Sequence, residues 1–151
     1  MTLFRRIIAT DAPTAVILIR LMVGAVFVSE GVQKFLFPED PGLGAARFAK
    51  LGFSSPDFTA SFVASFEITC GALILLGLLT RFAVIPTIII MIVAISTTKI
   101  PLLLQSGFWP MAHEARTDWS MLLGSLFLLW VGAGCWSLDA LLVRRNEANH
   151  G

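Results

Sequence analysis

The chain has 151 residues, of which 56% are hydrophobic and 14% are charged, and its mean hydropathy is +0.83. This composition excludes an ordinary soluble domain and favours an integral membrane protein. The formal net charge of +1 provides no broad basic surface for phosphates, so the expected partner is the lipid bilayer and not a nucleic acid.

Four apolar segments have the length that a membrane-spanning helix needs, roughly 20 residues for about 30 Å of hydrocarbon. They run from about residues 15 to 37, 58 to 79, 82 to 98 and 119 to 136. We therefore predict an all-α polytopic membrane protein, a bundle of four transmembrane helices in a single domain over residues 1–151. Only Thr80 and Arg81 separate the second and third segments, which predicts a tight helical hairpin.

The two longer connections, residues 38–57 and 99–118, contain prolines, glycines and apolar side chains and belong to the same side of the membrane, called the loop side below. We expect them to lie in the interface or to fold over the mouth of the bundle. The side of the termini and the loop side have equal numbers of cations, but Lys34 and Lys99 on the loop side are expected to pair with acids. Discounting these two favours a bacterial inner-membrane protein with both termini in the cytoplasm. The cations on the side of the termini are Arg5, Arg6, Arg81, Arg144 and Arg145.

Charged residues inside the spans cost roughly 2.5–3.5 kcal/mol each on insertion scales, so each of them needs a partner or a function. By helical rise, Glu30 and Glu67 lie roughly 10 Å and 13 Å from the loop-side ends of the first and second spans, at one level. Lys34 follows Glu30 by four residues, the order that favours an ion pair, and Gln33 adds a further polar group. Lys99 and Asp118 stand at the loop-side ends of the third and fourth spans.

Two interpretations of these polar residues are open. They form either a neutralised network that fixes the register of the helices, or a site for protons or for the polar head group of a ligand. The candidate ligand-binding residues are Glu30, Gln33, Lys34, Glu67, Lys99 and Asp118.

Other charges are expected to be structural. Arg20 lies roughly 25 Å from the loop-side end by the same rise, so its side chain is expected to reach the interface on the side of the termini, as an anchor or as the partner of an acid. Arg81 and Asp139 are assigned to the same structural class.

The residue pattern does not encode a redox cofactor. Cys70 and Cys135 occur in different apolar runs without a CxxC spacing, and the two histidines are His113 and His150, so neither a metal centre nor a bis-histidine haem is expected. No flavin motif is present. If the protein takes part in redox chemistry, a partner protein or a bound quinone has to carry the electrons.

Three blocks of residues resemble the DoxX family of small four-helix bacterial membrane proteins. The first block is Arg20-Leu21, Gly24, Phe27, Glu30-Gly31 and Lys34; the second is Glu67, Gly71, Leu75, Gly77 and Thr80-Arg81; the third is Gly132-Ala133-Gly134 followed by Ser137-Leu138-Asp139. The family includes a membrane subunit of thiosulfate:quinone oxidoreductase and proteins associated with redox or stress-protection complexes. The resemblance therefore implies a quinone or polar-ligand site at Glu30, Lys34 and Glu67 near the outer face, and a redox protein as partner.

Three functions follow as hypotheses. The first is a membrane subunit, non-catalytic or co-catalytic, that binds a quinone or a similar amphipathic molecule; if enzymatic, it belongs to an oxidoreductase complex and is not a self-sufficient enzyme. The second is a permease for a small solute or for protons, in a homo-oligomeric form, in which Glu30 and Glu67 change protonation state. The third is a structural assembly factor without a ligand.

Overall fold

The computed structural model describes residues 12–148, so the predicted roles of Arg5, Arg6 and His150 lie outside the described residues. All regular secondary structure in the described part of the chain is helical, which confirms the all-α class. The helices are α1 (Val16–Leu36), α2 (Ala45–Lys50), α3 (Pro56–Leu76), α4 (Thr80–Ala94), a π-helical segment (Ile95–Lys99), α5 (Ile100–Ser106), α6 (Phe108–Val131) and α7 (Leu138–Ala148).

Three helical segments of residues 12–148 are long and apolar enough to cross a membrane. They are Val16–Leu36, Pro56–Leu76 and the continuous stretch Thr80–Ser106. The helix α6 has 24 residues. Its first half contains the charged residues Glu114, Arg116 and Asp118, which lower the mean hydropathy of the helix. Three candidate spans are therefore shown where the sequence predicted four.

The connection predicted over residues 99–118 is helical apart from Gly107, whose φ of 85° separates α5 from α6. The third apolar helix does not end at residue 98 but continues through the π-helical segment to Ser106. A π-helical turn inserts one residue into the helical register. Pro101 lies just after this segment, where the regular α-helical hydrogen-bond pattern is interrupted, and the helical stretch continues past it.

The predicted fourth span is also displaced. The helix α6 begins eleven residues before Trp119, at Phe108, and ends at Val131, five residues before Trp136. It ends there because Gly132 and Gly134 adopt positive φ values of 87° and 80°, which side-chain-bearing residues rarely adopt.

The long helices associate as two pairs. The helix α1 packs along α3, where glycines permit close approach: a Cβ atom on Gly24 would lie 2.8 Å from the carbonyl oxygen of Gly71, and one on Gly71 would lie 2.9 Å from that of Gly24. Small residues at such crossings are typical of membrane helices. The helix α4 packs along α6, and the predicted hairpin of α3 and α4 is confirmed, with its turn at residues 77–79. The pairs are thus joined at the end nearest the termini.

Arg20 joins the two pairs at this end. Its guanidinium donates hydrogen bonds to the carbonyl oxygens of Ile74 (2.9 Å) and Leu75 (2.6 Å) at the end of α3, and to those of Ala133 (3.1 Å) and Trp136 (2.6 Å) after α6. Arg20 is 2% exposed, so its guanidinium is enclosed by these carbonyl groups. A cation beside the C-terminal carbonyls also complements the helix dipole.

Asp139 and Arg81 complete the same end of the bundle. The carboxylate of Asp139 accepts hydrogen bonds from the backbone N–H groups of Leu79 (2.8 Å) and Thr80 (3.1 Å), the first turn of α4. The guanidinium of Arg81 donates to the carbonyl oxygen of Leu129 (3.2 Å) near the end of α6. Backbone groups that helix ends leave unpaired are thereby satisfied by side chains.

We expect Arg20→Lys to lower the stability of the protein strongly. An ammonium group cannot span four carbonyl oxygens as a guanidinium does. Each hydrogen bond to a charged group contributes roughly 1.5–3 kcal/mol, and the loss of one or two of them sets the expected loss in unfolding free energy. Thermal unfolding in mild detergent measures the effect, with the exposed Arg144→Lys as control. Equal melting temperatures for both variants would contradict the assigned role of Arg20.

Candidate ligand-binding cavity

A cavity of about 480 Å³ lies between the two helix pairs toward the loop side. Apolar side chains from all four long helices form much of its wall, among them Phe27, Val63, Met91 and Met121. A volume of this size and a largely apolar wall are typical of sites for small organic molecules.

The cavity is closed toward the termini by a layer of fully buried side chains. This layer consists of one residue from each long helix, Val23, Ile74, Val84 and Leu128, each 0% exposed. On α3, α4 and α6 these positions lie seven residues, or about two helical turns, from Glu67, Met91 and Met121 in the cavity wall. The cavity is therefore a pocket with a floor at this layer.

Five of the six predicted ligand-binding residues line the cavity: Glu30, Lys34, Glu67, Lys99 and Asp118. Gln33 does not line it. Its amide nitrogen donates to the hydroxyl oxygen (2.9 Å) and the carbonyl oxygen (3.2 Å) of Ser29 on the exposed side of α1. The side chain of Gln33 thus folds back along α1 to Ser29 and does not reach the ion pair of Lys34.

The buried ion pair of Lys34 and Glu67 is the polar centre of the cavity. The ammonium nitrogen of Lys34 lies 2.8 Å from Oε2 and 3.0 Å from Oε1 of Glu67, and 3.6 Å from Oε2 of Glu30. Its hydrogen bond to Glu67 is directed at Oε1. The nearer oxygen, Oε2, is held by charge alone and is a buried acceptor without a hydrogen-bond partner among the described residues.

Gly31 allows this pair to form. A Cβ atom on Gly31 would lie 2.7 Å from the carbonyl oxygen of Ala64 and 3.0 Å from the Cβ of Glu67. The absence of a side chain brings α1 against α3 at this level, so Lys34, one turn later, reaches across to Glu67. The close approach of α1 and α3 at Gly24 and Gly71 thus continues to Gly31.

A second ion cluster lies at the rim of the cavity. The ammonium nitrogen of Lys99 lies 3.1 Å from Oε2 of Glu114 and 3.4 Å from Oδ2 of Asp118. The hydrogen bond and the charge of Lys99 lower the pKa of Glu114, which precedes the predicted fourth span, so this carboxylate stays ionised at neutral pH. Lys99 is the last residue of the π-helical segment, and the inserted residue sets the direction of its side chain.

Arg47 is a cavity residue that the sequence reasoning missed. It belongs to the six-residue helix α2, and its guanidinium donates to the carbonyl oxygen of Gly42 at 3.2 Å. It makes no ion pair with a carboxylate of residues 12–148. The neighbouring Phe48, Leu51 and Phe53 also line the cavity, so residues 42–53 cover its mouth. The available signal in the sequence was that this connection combines the cations Arg47 and Lys50 with apolar residues.

These features define the class of the protein: an all-helical membrane protein with a charged pocket between apolar helices. The sequence model of the DoxX family matches residues 15–100, a range that contains Glu30, Lys34, Arg47, Glu67 and Lys99. The chain belongs to the DoxX family.

A relative with a similar sequence is known from Mycobacterium tuberculosis (strain ATCC 25618 / H37Rv). It is the uncharacterized membrane protein Rv3486, which is 50% identical over 149 residues, an alignment that covers 95% of this chain and 90% of the relative. No solved structure matches the chain significantly.

We expect Lys34→Met to destabilise the protein by roughly 3–5 kcal/mol, because it leaves the buried carboxylate of Glu67 without its counterion. The double variant Lys34→Met/Glu67→Leu is expected to recover much of this loss, since it replaces the pair by apolar side chains. Thermal unfolding in detergent measures both, with the exposed Lys50→Met as control. A double variant no more stable than Lys34→Met would show that the two charges do not depend on each other.

Proposed function

We propose that this protein binds an amphipathic ligand of the quinone or quinol class in the cavity and presents it to a redox partner protein. It acts as the membrane subunit of an oxidoreductase complex and not as a self-sufficient enzyme. The observation that carries the proposal is the buried Lys34–Glu67 ion pair, in which Oε2 of Glu67 accepts no hydrogen bond from the described residues, in the wall of a largely apolar pocket.

The chemistry of the pair suits both redox forms of such a ligand. The ammonium group of Lys34 can donate a hydrogen bond to a quinone carbonyl oxygen. The Oε2 atom of Glu67, which has the ion contact with Lys34 but accepts no hydrogen bond from the described residues, can accept one from a quinol hydroxyl group. The apolar wall at Phe27, Val63 and Met91 suits the ring and the hydrocarbon tail.

A redox partner is part of the proposal because the described residues offer no electron carrier of their own. Among residues 12–148, no group of three or more His, Cys, Asp or Glu side chains converges as a metal site requires. Electrons would therefore pass between the bound ligand and a partner protein. With both termini in the cytoplasm, the cavity and the partner lie toward the outer face.

We also propose that α6 is a fourth span. Its second half packs along α4, and the outward side chains of this half are apolar, as contact with lipid requires. They are Leu123, Leu126, Phe127 and Trp130. The charged first half of α6 then lies at the loop-side interface.

Native mass spectrometry of the protein, purified in mild detergent, tests ligand binding. We expect the wild type to carry an adduct with the mass of a quinone, or to acquire one when a short-chain ubiquinone or menaquinone is added. We expect Glu67→Gln to lose most of this adduct, because the amide carries no charge to hold Lys34 in place.

Two matched variants control for nonspecific effects. Glu39→Gln removes an exposed loop-side carboxylate, and Gln33→Ala removes the predicted ligand residue that the structure places outside the cavity wall; both should retain the adduct. Ligand-free spectra for every protein, with and without added quinone, would refute the proposal. An adduct that Glu67→Gln retains in full would place the ligand elsewhere.

A further inference from the structure

One side of the cavity, between α3 and α4, is formed by residues that are also on the outer surface of the protein. Phe62 on α3 and Ile89 and Val93 on α4 line the cavity, and they are 53%, 56% and 45% exposed. Because these side chains border the cavity and the exterior at once, the wall is one side chain thick at this place.

The helix pairing explains why the wall is thin at this place. The helix α3 packs along α1, and α4 packs along α6, so α3 and α4 are held to each other mainly at their shared turn over residues 77–79. On the loop side of this turn, both helices contribute residues to the cavity wall. By contrast, α1 and α6 are in close contact at the buried layer below the cavity. A Cβ atom on Gly124 would lie 2.6 Å from Cγ2 of Val23.

The medium outside this thin part of the wall is hydrocarbon. All three residues lie within candidate membrane spans, and Ile89 is about 14 Å along the stretch Thr80–Ser106 from its first residue by helical rise. Exposed apolar side chains at such depth face lipid tails and not water.

The ring of Phe62 stands in a row of aromatic side chains along the outer face of α3. Its ring centroid lies 6.0 Å from that of Phe58 and 4.9 Å from that of Phe66. Phe62 lines the cavity, whereas Phe58 and Phe66 do not. The row thus provides a residue in the thin part of the wall and, one turn away, a chemically identical residue that is not part of the wall.

We infer that the cavity has a lateral portal to the bilayer between α3 and α4, with Phe62 at its edge, and that its ligand is a membrane-dissolved amphiphile that enters through this portal. The inference rests on the proposed function, because it concerns the route to the same cavity. It excludes a water-soluble solute as the main ligand, since the head group reaches Lys34 and Glu67 while the hydrocarbon tail extends toward the lipid.

Photochemical labelling in vesicles tests the portal without knowledge of the ligand. The protein is produced with photo-methionine, a diazirine analogue, and reconstituted in vesicles of phosphatidylcholine and phosphatidylglycerol. Met91 and Met121 are buried in the cavity wall, whereas Met22 on α1 is 39% exposed and does not line the cavity. After illumination, mass spectrometry of the peptides locates adducts with the acyl chains. We expect adducts at Met22, and also at Met91 or Met121.

Variants of the aromatic row identify the entrance. The measured quantity is the yield of acyl-chain adducts at Met91 and Met121, relative to the yield at Met22. We expect Phe62→Trp to lower this ratio several-fold and Phe62→Ala to raise it. Phe58→Trp should leave the ratio unchanged. Acyl-chain adducts at Met22 alone, in the wild type and in Phe62→Ala, would overturn the lateral portal. Cavity adducts that no Phe62 variant changes would overturn the role of Phe62. Since this readout requires no quinone, it fails or succeeds independently of ligand binding in mass spectrometry.

Discussion

The guanidinium of Arg20 has to be satisfied inside an apolar bundle, and the helices are arranged around it. Its four carbonyl partners come from the end of α3 and from the turn after α6, one element of each helix pair. Gly77 is part of this arrangement, because a Cβ atom there would lie 2.6 Å from Cζ of Arg20. The pairs are therefore clamped at one end and are free to separate at the other, which is where the cavity lies.

The buried charges at the two ends of the bundle are satisfied to different degrees. Arg20 donates four hydrogen bonds to backbone carbonyls. At the cavity, Oε2 of Glu67 has the ion contact with Lys34 but accepts no hydrogen bond from the described residues, and a bound molecule that donates one would stabilise the protein. Because the layer of Val23, Ile74, Val84 and Leu128 separates the two ends, the cavity does not continue across the bundle. This arrangement suits binding from one side better than permeation.

Much of the candidate site follows from helical geometry alone. The rise per residue places Glu30 and Glu67 at one level, and both lie within 4 Å of Lys34 in the structure. Gln33, which the sequence prediction included, lies outside the cavity wall because its side chain is hydrogen-bonded to Ser29. Other features depend on distant contacts: the partners of Arg20 include a carbonyl 113 residues away. The π-helical segment that orients Lys99, and the short helix that carries Arg47, have no periodic apolar pattern long enough to predict them.

The position of the charges also sets the orientation of a bound amphiphile. Lys34, Glu67, Arg47 and Lys99 lie toward the loop side, while the proposed portal between α3 and α4 faces hydrocarbon. A molecule entering through it would keep the orientation that it has in the leaflet, with its head group toward the interface and its tail toward the bilayer centre, so entry would require little reorientation. The end nearest the termini is closed by the Arg20 cluster and the buried layer. In the proposed complex, a redox partner would therefore approach from the loop side, over α2 and the Lys99 rim.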